Sequence, residues 1–175
     1  MTGTDRESRD RKPGTVVFIG ALPPPVGGRT LATSDILQRV DQLVDVRTYN
    51  VSHGRQDFGL QFKCYKAWKT LLALLHVFFA CPPGCTFYKC INSGRGQLYD
   101  IAVAVVSRLK KGRFIAHHHC YTYVRNKTLR MQLLDALMGQ KGFHVLLSRR
   151  IQRRFTTQYK PAAPTAVVPN YALIE

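Results

Sequence analysis

Three consecutive histidines, His117-His118-His119, close an apolar run that begins at Arg113 and carry the widest chemical repertoire in the chain. In a strand, alternation puts His117 and His119 on one face and His118 on the other, so two imidazoles converge near a strand end. Such a pair can pack in a core, hydrogen-bond a substrate or ligate a metal. A metal needs a third and usually a fourth ligand, yet the nearest acid along the chain is Asp100, a helix away, and Cys120 points away from the His119 face. No metal is therefore expected. Cys81-Pro-Pro-Gly-Cys85 and Cys90 lack the paired C-x₂-C spacing of a zinc knuckle. Glutamate occurs only at positions 7 and 175, which excludes a pair of catalytic glutamates.

The segment from Pro23 to Thr30 joins a strand-like run to a helical pattern and contains Gly27 and Gly28. Glycines there let bare amides at a positive helix end approach a phosphate, and equally serve a stiff turn. Neither Gly-Lys-Ser/Thr nor G-x-G-x-x-G is present, which excludes a Walker loop and a dinucleotide fingerprint. Further on, Arg149 stacks over Arg153 and Arg150 over Arg154 at i,i+4, where like charges repel unless an anion lies against them. Lys63, Lys66 and Lys69 flank Trp68 in the same way. These seven cations read either as a solvated face or as a contact for an anionic membrane or polyanion. No RNP-like strand or recognition-helix motif accompanies them, so nucleic acid is not the expected partner.

The elements that must position these residues fit one domain. The chain has 175 residues, 45% hydrophobic, enough to bury one core. Its net charge is +16, of which residues 60–175 carry +15 because their only acids are Asp100, Asp135 and Glu175. Five cysteines, an odd number, follow a charged start with no apolar run behind it, so reduced thiols in a cytoplasm are expected. The longest apolar stretch, Leu71 to Cys81, is well short of the ~20 residues that span a bilayer.

Residues 1–13 are polar and mixed in charge, a disordered tail by composition. Thr15 to Gly20 then reads as a buried strand, Thr30 to Val44 as a helix and Val44 to Val51 as a second strand. A long helix from Phe62 to Ala80 follows, its apolar stripe formed by Cys64, Trp68, Leu71, Leu72, Leu75 and Phe79. Thr86 to Ile91 is a strand and Gln97 to Lys110 a helix with Leu98, Ile101, Val105 and Leu109 on one side. Strands at 113–119, 143–148 and 165–169 alternate with helices at 128–138 and 149–159. Such alternation predicts a single Rossmann-like parallel sheet with helices on both faces, its ligands beyond the carboxyl ends of the strands.

Val16-Val17-Phe18-Ile19-Gly20-Ala21-Leu22-Pro23-Pro24-Pro25-Val26-Gly27-Gly28 resembles the first strand and glycine loop of GT-B glycosyltransferases of the large family-four group. The segment from Ser107 to His119 is similar to that family's helix, Lys/Gly turn and strand ending in His-x-His. Leu147-Ser148 and Val167-Val168-Pro169-Asn170 resemble two later segments, so the likeness covers about residues 14–175 in order. Cys120 and Tyr171 stand where the family commonly has Gly. The resemblance implies the N-terminal, acceptor-binding domain of a nucleotide-sugar-dependent glycosyltransferase, the C-terminal donor domain being absent from this chain. It places Gly27 and Gly28 at the donor diphosphate, His119 at the donor sugar as the catalytic histidine, and Arg29, Asn92, Ser93, His117 and Tyr121 toward the acceptor. It implies no cofactor beyond the nucleotide-sugar co-substrate, a sugar or lipid-linked acceptor used in polysaccharide or glycolipid assembly, and a cytoplasmic enzyme peripheral on the inner face of the membrane. The half alone is expected to be inactive. The alternative of another class is a non-catalytic basic α/β module that binds polyanion or membrane.

Overall fold

Every strand pairs parallel with its neighbours. The computed structural model describes residues 14–24, 26–52 and 59–169. The tail 1–13, Pro25 of the glycine loop, Asn170 and Tyr171 lie outside the described residues. Strands β1 (Thr15–Gly20), β2 (Asp45–Asn50), β3 (Thr86–Cys90), β4 (Arg113–His118), β5 (Phe143–Leu146) and β6 (Thr165–Val167) form one sheet in the order β2-β1-β3-β4-β5-β6. Between them run helices α1 (Gly28–Asp41), α2 (Leu60–Ala80), α3 (Gln97–Leu109), α4 (Thr122–Arg125), α5 (Leu129–Met138) and α6 (Arg149–Tyr159). This is the Rossmann-like parallel sheet that the alternation of patterns predicts, with α4 an added single turn. β2 and β3 flank β1 on opposite sides, so the chain winds outward in two directions and leaves a crevice between the loops after β1 and β3.

Strand alternation divides the interior in two. Val17, Ile19, Phe87, Phe114, Ala116 and Leu146 cluster with Ala73 and Val77 of α2, Val103 of α3, Leu134 of α5 and Phe155 of α6. On the opposite face Phe18, Tyr88 and Cys90 meet Leu37 of α1, with Val16 and Ile115 beside them. Burying each large apolar side chain stabilises the fold by about 1.5–3 kcal/mol.

Two helices are rotated away from the sense their periodicity suggests. On α2 the residues turned inward are Thr70, Ala73 and Val77, and Leu71, Leu72 and Leu75 are exposed together with Trp68 at 58% and Phe79 at 81%. Cys64 is exposed as well. Apolar residues lie nearly all round this helix, so the pattern does not single out a face, and the small side chains give the closer approach to the sheet. On α3 only Ile101 of the expected side packs against the core, while Leu98, Val105 and Leu109 are exposed.

A buried carboxylate fixes the rotation of α3. Asp100 is fully buried in the first turn, where it accepts hydrogen bonds from the Asn92 backbone N–H and from Asn92 Nδ2, each at 2.7 Å. Its Oδ1 lies 3.5 Å from the buried ammonium of Lys89 on β3. An unpaired buried charge is far costlier than an exposed leucine, so the helix turns its acid inward. Replacing Asp100 by Asn should therefore lower the unfolding free energy by about 3–5 kcal/mol, because the Lys89 ammonium is left buried without a counter-charge. Adding Lys89→Met should recover much of that loss. Urea denaturation of both variants checks this, and a double variant no more stable than Asp100→Asn would refute it.

Candidate functional site

The crevice between β1 and β3 gathers most of the residues singled out above. Gly27 is the N-cap of α1; its N–H donates to Thr30 Oγ1 at 3.0 Å and its carbonyl accepts from the same hydroxyl at 2.9 Å. No acidic side chain stands in the first turn of α1, so the positive helix end is not neutralised from within. A Cβ at Gly28 would meet nothing within 4 Å, which leaves its amide approachable. Across the crevice Arg29 Nη1 donates to Asn92 Oδ1 at 3.4 Å, tying the loop after β1 to the loop after β3. Ser93 is exposed on the same rim.

The three histidines divide as alternation requires. On the α1 face the rings of His117 and His119 are 4.1 Å apart, and His117 Nδ1 is 2.6 Å from the Tyr88 hydroxyl. Among the described residues the Nε2 atoms of His117 and His119 are buried and have no hydrogen-bond partner. Burial, and for each ring a second nearby group, lowers the His117 pKa to about 3 and that of His119 to about 4. For His117 the second group is His119, and for His119 it is Arg29. Both imidazoles are therefore neutral at pH 7, able to offer a lone pair or one N–H but not a charge.

On the other face His118 enters a buried polar chain. One proton assignment satisfies all of it: Tyr123 O–H donates to His118 Nδ1 (2.9 Å), His118 Nε2–H to His144 Nδ1 (2.9 Å), and His144 Nε2–H to Asp135 Oδ1 (3.0 Å). This chain has no access to the crevice and joins β4, α4, β5 and α5. Its role is to satisfy buried polar groups.

Other expected site residues lie apart from the crevice or have different partners. Tyr121 is turned toward α6, where its hydroxyl accepts from Arg154 at 3.0 Å and its ring lies 5.7 Å beneath that guanidinium. Arg149, Arg150, Arg153 and Arg154 line a shallow depression on α6 with Thr157 and Gln158, away from the glycine loop. Ser148 is the N-cap of α6, accepting from the Ile151 N–H at 3.2 Å. Lys63 and Lys69 are exposed on α2, but Lys66 is half-buried, its ammonium 5.4 Å from the Tyr99 ring centroid. Burial first, then the neighbouring charges of Lys89 and Arg29, lower the Lys66 pKa. Lys66 and Arg29 line a small cavity with Gly20, Cys90 and Asn92, so Lys66 belongs to the crevice rather than to an outer basic face.

Sequence reasoning set aside Asp100 and Cys90 on their spacing along the chain and did not weigh Tyr88. Cys90 ends β3 in register with His117 of β4, which places its thiol beside the paired histidines. Its Sγ lies 3.0 Å from Thr33 Oγ1 of α1. The available signal was positional: both residues lie at the carboxyl ends of their strands, and a parallel register can bring such ends together.

Comparisons with protein-family models, with curated proteins and with solved structures found no match. The α/β class thus comes from the fold itself, and function must be argued from the site.

Buried neutral histidines link stability to acidity. His117 and His118 both have depressed values in the folded chain, His118 through burial and then the neighbouring His144, against about 6.5 when unfolded. Their contribution is fully present above about pH 6.5 and is lost as pH falls from there toward about 3, where His117 itself protonates. Each costs up to about 1.4 kcal/mol per pH unit in that window. The urea midpoint should be flat between about pH 7 and 8 and fall steeply toward pH 5, less steeply in His118→Gln. A midpoint unchanged down to pH 5 would contradict the assignment.

Proposed function

We propose that this domain is the acceptor-binding half of a nucleotide-sugar-dependent glycosyltransferase that adds a sugar to a polysaccharide or glycolipid acceptor. The observation that carries this reading is the Arg29–Asn92 hydrogen bond across the strand-order reversal, with the glycine loop and His119 on the same edge of the sheet. In glycosyl transfer the departing group is a nucleoside diphosphate, and its developing charge must be met by fixed donors. The amide of Gly28, the N-terminus of α1 and the guanidinium of Arg29 are such donors at one rim, whereas the Gly27 N–H is spent on Thr30 Oγ1. A neutral His119 suits a hydrogen bond to a sugar hydroxyl better than a salt bridge to phosphate. Asn92 and Ser93 are the expected acceptor contacts that reach the surface, while His117 is buried behind them and would act only through His119, and no cofactor beyond the co-substrate is needed.

The test uses the purified chain with a panel of nucleotide sugars, following release of nucleoside diphosphate. This half is expected to turn over none of them, because charge-assisted hydrogen bonds of about 1.5–3 kcal/mol each would have to come from a second domain. When the donor domain is supplied, transfer should appear and should fall at least about 100-fold in Gly28→Asp, which sets a carboxylate against the diphosphate. His119→Ala should lower kcat with little change in donor KM. Turnover by the chain alone that either substitution abolishes would overturn the reading as half an enzyme.

An anionic membrane is the partner we infer for the outer helical layer, where a lipid-linked acceptor would reside. The observation favouring it is the exposed face of α2, with Trp68, Leu71, Leu72, Leu75 and Phe79 outward and Lys63 and Lys69 beside them. Leu98, Val105 and Leu109 of the neighbouring α3 extend it. Apolar residues at the acyl boundary with lysines at the headgroups are the arrangement of an interfacial helix. Among the described residues no helix is long and apolar enough to cross a membrane. Trp68, the single tryptophan, should shift to shorter emission wavelength on phosphatidylglycerol vesicles and much less as salt rises. Phe79→Ser should weaken binding by about tenfold or more. Equal binding to neutral vesicles would count against an electrostatic seat.

A further inference from the structure

We propose that Cys90, His117 and His119 form a zinc-binding site, with a fourth position open toward the crevice. This goes beyond the glycosyltransferase reading and does not depend on it.

One ligand atom from each of the three residues, Sγ of the cysteine and a ring nitrogen of each histidine, lies within 4.8 Å of the other two. One thiolate and two imidazoles are donors that tetrahedral zinc takes, leaving the fourth place for water or another small ligand. Ligand atoms around such an ion stand about 3.3–3.6 Å apart, so the three need to close by about an ångström. His119 can move that far, because it is the first residue beyond β4 and is not held by sheet hydrogen bonds on both sides.

A second observation points to the same centre. His117 is 1% exposed, and its Nε2, like that of His119, is buried with no hydrogen-bond partner among the described residues. Buried polar nitrogens without partners are rare, and two adjacent ones ask for a common ligand. No hydrogen bond joins these two nitrogens here, as one joins His118 to His144, whereas a cation would accept a lone pair from each.

The surroundings supply outer partners of the kind metal sites use. With His117 Nδ1–H donating to the Tyr88 oxygen, at 2.6 Å, the bare lone pair is on Nε2, where the ion would sit. The Tyr88 O–H is then free to turn toward Cys90, which lies in the same buried cluster. The Thr33 hydroxyl is 3.0 Å from the Cys90 sulfur but donates to the Arg29 carbonyl at 2.7 Å, so it would have to turn from that carbonyl to steady a thiolate. Beside Cys90, a cavity of about 20 Å³ bounded by Gly20, Arg29, Lys66 and Asn92 has room for one water. The cations lining it oppose a bare divalent ion, so an anionic fourth ligand is favoured there. On binding, one proton leaves the Cys90 thiol, the sulfur–zinc and two nitrogen–zinc bonds form, and no oxidation state changes. Zinc would take the Nε2 of His119, so metal and donor sugar would exclude one another.

The test takes the full chain, purified without a histidine tag, stripped with chelator and titrated with cobalt(II) and then zinc(II). One cobalt per chain is expected, with the strong visible bands of tetrahedral cobalt and a near-ultraviolet thiolate-to-cobalt band, both displaced by one zinc. Cys90→Ser should abolish the thiolate band. His119→Ala should weaken zinc by more than the ~10–100-fold typical of an outer partner, and Tyr88→Phe should fall within that range. Cys64→Ser and Cys120→Ser should leave the spectrum unchanged, and metal-free unfolding midpoints show whether each variant is folded. If Cys90→Ser does not fold, the zinc-induced rise in unfolding temperature of the parent, absent in His119→Ala, decides the same point. A parent chain that shows no thiolate band at one equivalent of cobalt, or a band that survives Cys90→Ser and vanishes in Cys64→Ser, overturns the proposal.

Discussion

The carboxyl end of β4 must bury the imidazoles of His117 and His118 and, just beyond it, one ring nitrogen of His119, and much of the remaining architecture answers that constraint. A buried polar ring without a partner costs on the order of 1–3 kcal/mol, so each face of the strand needs its own solution. On the α5 side the solution is complete: Tyr123, His144 and Asp135 bring α4, β5 and α5 into one hydrogen-bonded chain with His118. The Tyr159 hydroxyl extends this by donating to the Tyr123 carbonyl at 2.7 Å, which draws α6 against the same corner. On the α1 side the solution is partial, with Tyr88 serving one nitrogen of His117 and both Nε2 atoms left over. The face that is fully satisfied is scaffold, and the face that is not is where a ligand has something to gain.

The crevice inherits its shape from the same economy of buried polar groups. Asp100 holds the loop after β3 by two hydrogen bonds to Asn92, and Asn92 in turn receives Arg29 from the loop after β1. A single buried carboxylate thus sets the spacing of the two loops that flank the strand-order reversal. The ammonium of Lys89 is the counter-charge that makes its burial tolerable.

Much of this was legible in the sequence because strands such as Val16 to Ile19 and Phe114 to Ala116 are β-branched or aromatic runs bounded by glycine or charge. The division of His117 and His119 from His118 needed only the two-residue period of a strand. The rotation of α2 and α3 was not legible, because apolar residues occupy both the inward and outward sides, and the deciding contacts are polar or small: Asp100 with Lys89, Ala73 and Val77 with the sheet. Cys90 was set aside on its local spacing for a related reason. Its closeness to His117 is set by the parallel register of β3 with β4, a contact 27 residues apart along the chain that no local spacing encodes.

The basic character of the surface follows from the same networks. Within residues 60–175 the described acids are Asp100 and Asp135, and both are committed to buried or nearly buried partners. Asp100 neutralises Lys89, and Asp135 terminates the histidine chain. Neither is left to offset the exposed cations of α2 and α6, whose field therefore reaches solvent undiminished by local counter-charges. Had these two carboxylates stood on the surface, the interior would have lost its polar closure and the exterior part of its attraction for anions. How much of this segment's +15 is left without local counter-charge at the surface is thus tied to how the fold satisfies its own buried groups. The same arrangement that rigidifies the crevice leaves the outer helices free to meet a negatively charged partner.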